Sequence, residues 1–152
     1  MHPNQFCYSK SMHHPDRIAH IISGISDKIF LDLTLNYKKT NAPMITPPLG
    51  AVLCALAPGK IFSMKELARK SLRDPSTVTS IVAKLEKLDF IKRIKSPKDN
   101  RMFEVTLTPQ GKRVRSSVIR ASRRMFLKIY RNTSYEERRL LMGILEKIDS
   151  GL

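Results

Sequence analysis

The sequence predicts an α+β fold that is mostly α: three short helices and a two-strand hairpin form a compact core, and longer amphipathic helices flank it on both sides. Three observations predict it. Asp74 to Leu88 carries Val78, Ile81, Val82, Leu85 and Leu88 at helical spacing, with another capped helix only a short turn upstream. Phe103, Val105 and Leu107 alternate with Glu104 and Thr106, the period of a half-buried strand. Stripes of Ile, Leu and Val at helical spacing lie outside that unit, where so small a core has little surface left to cover them.

Taken in order, residues 1–15 read as a polar arm. Its adjacent His13 and His14 would point to different sides of any regular element, so no metal site is expected there. Asp16 to Lys39 reads as the first helix: Asp16 suits the positive end of the helix dipole, and Ile18, Ile21, Ile22, Ile25, Ile29 and Leu33 share one face. Phe30, Leu31 and Leu35 lie off that face, so two sides need cover, and a second copy of the chain is the expected cover. Thr46 is placed to cap, and Pro47 to open, a nearly all-apolar core helix to Ala57, in which Cys54 reads as a small buried hydrophobe. Pro58-Gly59 stops it, and Ile61-Phe62 suits a short strand.

Ser63 to Glu66 is a capping box for a helix from Met64 to Lys70. After the turn Ser71-Leu72-Arg73, Asp74 caps the next helix and Pro75 takes its first position. Strands at Phe90–Lys95 and Phe103–Leu107 flank a turn-rich loop, Ser96 to Arg101. Thr108 caps and Pro109 opens a long helix to about Arg131, with a seam of Val114, Val118, Ala121, Met125 and Ile129. A second capping box, Ser134 to Glu137, opens a last helix to Ser150 that is expected to bury Leu140, Leu141, Ile144, Leu145 and Ile148. The expected division is an arm (1–15), a dimerisation helix and loop (16–46), the core (47–108) and C-terminal dimerisation helices (109–152).

Net charge is +15, with 28 Lys and Arg against 13 Asp and Glu, which favours an anionic partner such as nucleic acid. The stretch from Lys92 to Arg131 holds thirteen of those cations and two acids. Two short helices joined by a tight turn, the second with a polar front, form a helix–turn–helix signature, whose second helix lies in the major groove of double-stranded DNA. Ser76, Thr77, Thr79, Ser80 and Lys84 are its candidate contacts, the hydroxyls for phosphate or base edges and Lys84 for phosphate. The hairpin after it is a basic wing with Lys92, Arg93, Lys95, Lys98 and Arg101. Arg101, with Asn100 beside it, is expected in the minor groove or on the adjacent backbone, and Asp99 is expected to brace the turn through Arg93 or Arg101.

The ordered set Ser76-Thr77-Val78-Thr79, Leu85 to Leu88, Asp99-x-Arg101 and Leu107-Thr108-x-x-Gly111 resembles the MarR family of winged-helix regulators, over about residues 16–150. The resemblance implies a homodimer held by terminal helices and a pseudo-palindromic operator. It also implies repression by occlusion, with release by a small aromatic or phenolic effector or by thiol oxidation. The chain departs from the family at Ser80, where many members carry a basic residue, and at Asp89, where glycine is usual; Asp tolerates a positive φ.

Other classes find little support. No paired carboxylates in a matched context, nucleophile elbow, phosphate loop or metal-ligand spacing is present, so neither an enzyme nor a cofactor is expected. No run of 18 apolar residues and no signal-peptide core occurs, so a cytoplasmic protein without membrane contact is expected. Cys7 and Cys54 form no CxxC and read as free thiols. Two alternatives stay open: a basic architectural DNA-binding protein with little sequence preference, and a regulator that senses oxidants through Cys7 or Cys54.

Overall fold

The computed structural model describes residues 17–96 and 102–151. The elements are α1 (Ile18–Lys38), α2 (Pro47–Ala55), β1 (Phe62–Ser63), α3 (Met64–Ser71), α4 (Pro75–Lys87), β2 (Ile91–Lys95), β3 (Phe103–Leu107), α5 (Pro109–Ile129) and α6 (Tyr135–Gly151). One antiparallel sheet runs in the order β1-β3-β2, with Phe62 opposite Val105 and Ile91 opposite Leu107. The mostly helical α+β class is as expected.

The core gathers around α2. Val52, Leu53 and Leu56 meet Leu67 of α3, Val78, Val82 and Leu85 of α4, Ile91 and Val105 of the sheet, and Val114 and Val118 of α5. Helix α2 stops at Ala55, two residues before the expected end, because Leu56 turns extended (ψ 130°) and places its side chain in the core. Thr46 stands at the N-cap position, but its side chain makes no cap hydrogen bond; Pro47 starts the helix without one. The first strand begins at Phe62, and Ile61 is exposed. On β3, Val105 and Leu107 are buried as the alternation requires, whereas Phe103 lies in the open, under the Arg93 guanidinium at 5.9 Å.

Helix α1 joins this core only through its C-terminal end. Tyr37 is its sole buried residue; the phenol shares a hydrogen bond with Ser122 Oγ (2.8 Å), and burial pushes its pKa up. A Cβ on Gly50 would lie 2.7 Å from the Tyr37 ring, so the glycine lets α2 sit flush against it. Further out, Ile25, Ile29, Met125 and Ile129 wall an open cavity of about 400 Å³ between α1 and α5, bordered by Lys28 and by the Asp32–Lys128 ion pair. The Ser134 capping box forms as expected, and Arg138 donates to the carbonyls of Tyr130 and Thr133, pinning the turn between α5 and α6.

The expected burial of the α6 stripe does not occur within one chain. None of its residues is buried; Leu140 is 66 % exposed, and Leu141, Ile144, Leu145 and Ile148 are exposed as well. Ile18, Ile21, Ile22, Ile25, Phe30, Leu31 and Leu35 of α1 share that state. The helical spacing identified a stripe correctly but could not say which molecule covers it.

Candidate nucleic-acid interface

Helices α3 and α4 meet through a turn in which Leu72 takes a left-handed conformation (φ 52°). Capping sets both helix starts. Ser63 Oγ accepts from the Glu66 amide (3.2 Å) while the Glu66 carboxylate accepts from the Ser63 amide (2.9 Å). Asp74 accepts from the Thr77 amide (2.8 Å) and from Ser76 Oγ (2.6 Å). With Val78, Ile81, Val82 and Leu85 buried, α4 turns Ser76, Thr79, Ser80, Ala83, Lys84 and Lys87 outward as one continuous stripe.

The structure thus brings Ser76, Thr79, Ser80 and Lys84 onto one exposed face, as expected. Thr77 differs: it is half-buried at the edge of that face and tied to Asp74. Ala83 and Lys87 are members of the stripe that sequence reasoning missed. Helical periodicity counted from Ser76 would have found both, but attention to polar residue types passed over the alanine.

The wing follows directly. Asp89 adopts φ 56°, which lets the chain reverse into β2, and the Phe90 amide returns to the Leu85 carbonyl (3.0 Å). Lys92, Arg93 and Lys95 are exposed along β2. Arg93 donates through Nε to Glu86 of α4 (2.7 Å) and lies over Phe103 of β3. It therefore ties α4 to both strands of the wing. Asp99, its expected partner, and Lys98, Asn100 and Arg101 lie outside the described residues. The Glu86–Arg93 link was not legible beforehand, because only the reversal at Asp89 brings the two together.

Along α5, Lys112, Arg113, Arg120, Arg123, Arg124 and Lys128 are exposed and extend the positive field from the wing. Arg115 instead donates to the Cys54 carbonyl (3.1 Å) at the end of α2. Cys54 is half-buried and burial raises its thiol pKa, which leaves little thiolate for oxidation; Cys7 lies outside the described residues. Among the described residues there is no cluster of His, Cys, Asp or Glu that could hold a metal, and no helix long and apolar enough to cross a membrane.

Three carboxylates hold this unit together, and all three have lowered pKa values. Hydrogen bonds from Ser76 and Thr77 act on Asp74, those from Ser63 on Glu66, and the Arg93 side chain on Glu86. A depressed carboxylate pKa contributes stability that is full above the unfolded value and lost as pH falls through the folded one. Unfolding free energy is therefore expected to decline below about pH 4. Asp74→Asn, which keeps a capping oxygen without a titrating group, should flatten the decline in urea titrations run from neutral to acid pH. An unchanged acid slope in that variant would show that the cap does not carry it.

Comparison with known proteins bears on this geometry. Residues 45–103 match the MarR family. The HTH-type transcriptional regulator SarZ of Staphylococcus aureus (strain USA300) is 33% identical over 75 residues, 49% of this chain and 51% of SarZ. The chain thus spans about half the length of the curated relatives it matches. Among solved structures, an organohalide-sensing transcriptional regulator in its 2,4-dichlorophenol-bound form aligns with a TM-score of 0.80 at 21% identity, covering 99% of this chain and 86% of that one. A mutant of MarR from E. coli complexed with operator DNA aligns with a TM-score of 0.76 at 19% identity, over 92% and 99% of the two chains. At these identities the likeness establishes the fold.

Proposed function

We propose that this chain, whose residues 45–103 match the MarR family, is a member of that family and that two copies form a sequence-specific DNA-binding transcriptional repressor. The observation that carries the reading is the outward stripe of α4, Ser76 to Lys87, held beside a basic wing by the Glu86–Arg93 link. Two such stripes would lie in successive major grooves, with the wings at the flanking minor grooves and half-sites about one helical turn apart. Ser76, Thr77, Thr79 and Ser80 make the groove contacts; Lys84, Lys95 and Lys98 hold phosphates. Asn100 and Arg101 approach the minor groove. Residues 47–108 form the DNA-binding core, and 16–46 with 109–152 supply the dimer helices, whose exposed apolar faces support that role.

A small aromatic or phenolic effector suits the cavity between α1 and α5, whose apolar walls and bordering Lys28 match a ring bearing an acidic hydroxyl. Repression follows by occlusion of a promoter, and the effector releases it.

Selection from a random duplex library at fixed salt tests the reading. Pseudo-palindromic sites should bind about a thousandfold or more tighter than random duplex. Arg101→Ala should weaken binding to all sequences and lower the salt slope by about 1, while Thr77→Ala changes the ranking of sites. A ratio near one would instead indicate an architectural protein, the reading that the charge of +15 favours.

A further inference from the structure

The groove-facing stripe of α4 has a chemistry that narrows which base pairs it can recognise, given the DNA reading proposed above. Side chains that bind a base edge with two hydrogen bonds are chiefly Arg or Lys on guanine and Asn or Gln on adenine. Helix α4 contains no Arg, Asn or Gln; of its exposed lysines, Lys84 is assigned to phosphate above and Lys87 closes the helix.

The rest of the exposed stripe offers something else. Ser76 Oγ donates its proton to Asp74 (2.6 Å), and Thr79 Oγ1 donates its proton to the Pro75 carbonyl (2.9 Å). Both hydroxyls are left with acceptor lone pairs, and Thr79 also has its methyl. Ser80 Oγ, which makes no hydrogen bond among the described residues, can act in either sense. Ala83 presents a bare methyl in the same exposed stripe. A set of acceptors beside methyl groups complements one kind of major-groove edge. An A·T pair shows the adenine N6 amino donor and the thymine 5-methyl, whereas a G·C pair has no methyl.

We propose that α4 reads A·T pairs through the thymine 5-methyl, with Ala83 and the Thr79 methyl as apolar contacts and the Ser76 and Thr79 oxygens accepting from adenine N6. Ala83 is then a specificity-determining residue although it has no polar group. Lys84, Lys87 and the wing supply attraction that is indifferent to sequence.

The test starts from duplexes selected out of a random library by the full-length protein. Each thymine of a half-site is then replaced by deoxyuridine, which removes only the methyl. Selected half-sites should be A·T-rich at the positions facing α4, and loss of a contacted methyl should weaken binding about three- to fivefold. Ala83→Gly should abolish the uracil effect at one thymine while the uracil effects at the other thymines persist. If that variant fails to fold, Ala83→Ser, which keeps the helix but replaces apolar surface with a hydroxyl, should shrink the same effect. Uracil substitutions that leave affinity unchanged at every position, or half-sites centred on G·C pairs, would overturn the methyl reading and leave the proposed DNA-reading function standing. A library in which no sequence is enriched would overturn both.

Discussion

Gly111→Ala is expected to destabilise the chain by about 3 kcal/mol or more. A Cβ at this position would lie 1.7 Å from the carbonyl oxygen of Phe90 and 2.7 Å from its carbonyl carbon. Neither can retreat cheaply. The Phe90 carbonyl accepts from the Thr108 amide (3.1 Å), and the Phe90 amide donates to the Leu85 carbonyl (3.0 Å). Thr108 Oγ1 donates to the Asp89 carbonyl (2.7 Å) and accepts from the Gly111 amide (2.9 Å). The start of α5, the end of α4 and the start of the wing are thus fastened at one point, and a side chain there must pry them apart. Urea unfolding should show a lower midpoint, and the melting temperature should fall by roughly 6–12 °C. Gly24→Ala serves as the contrast: nothing lies within 4 Å of its added Cβ, so that change should be neutral or slightly stabilising. A loss below about 1 kcal/mol for Gly111→Ala would mean that α5 does not approach Phe90 so closely.

The double variant Leu141→Asp with Ile144→Asp is expected to produce a monomer whose affinity for a two-half-site operator is about a hundredfold or more weaker. Both residues are exposed on α6, which has no buried residue in a single chain, and α1 presents a second apolar face of similar character. Apolar side chains exposed side by side along a helix mark an association surface. If copies join there, each half-site contact assists the other through a high effective concentration, and charging the surface removes that assistance. Binding to a duplex with one half-site should change little, since α4 and the wing are untouched. Sedimentation gives the assembly state and titration gives the affinity. A variant that stays dimeric, or that loses single half-site binding equally, would count against α6 as the joining surface.

Much of the core was legible because local rules agree with one another. Asp74-Pro75, Ser63 to Glu66 and Thr108-Pro109 mark three helix starts that all form, and of the residues at helical spacing α4 buries Val78, Ile81, Val82 and Leu85, with Leu88 half-buried just past its end. Asp89 takes the positive φ expected where glycine is usual. What escaped depends on distant parts of the chain. Phe103 fits the strand alternation yet lies in the open beside Arg93. The Glu86 link to Arg93 exists only after the chain reverses. Ala83 escaped for a different reason: its position was calculable, but an alanine attracts no notice when polar groups are sought.

The way α1 is fastened has a mechanical consequence. Its one buried residue, Tyr37, is gripped by Ser122 and Gly50, Asp32 pairs with Lys128 of α5, and the first turns, Ile18 to Ser23, are exposed. From Tyr37 to Ile18 the helix runs roughly 28 Å, so a tilt of about 5° at the grip carries its tip about 2.5 Å. Ile29, at the cavity, stands only about 12 Å from the grip. A molecule that wedges α1 away from α5 there has its displacement more than doubled at the free end. Such a molecule, once it parts the Asp32–Lys128 ion pair, would turn the helix as a lever, with Tyr37 as fulcrum and the cavity on the short arm.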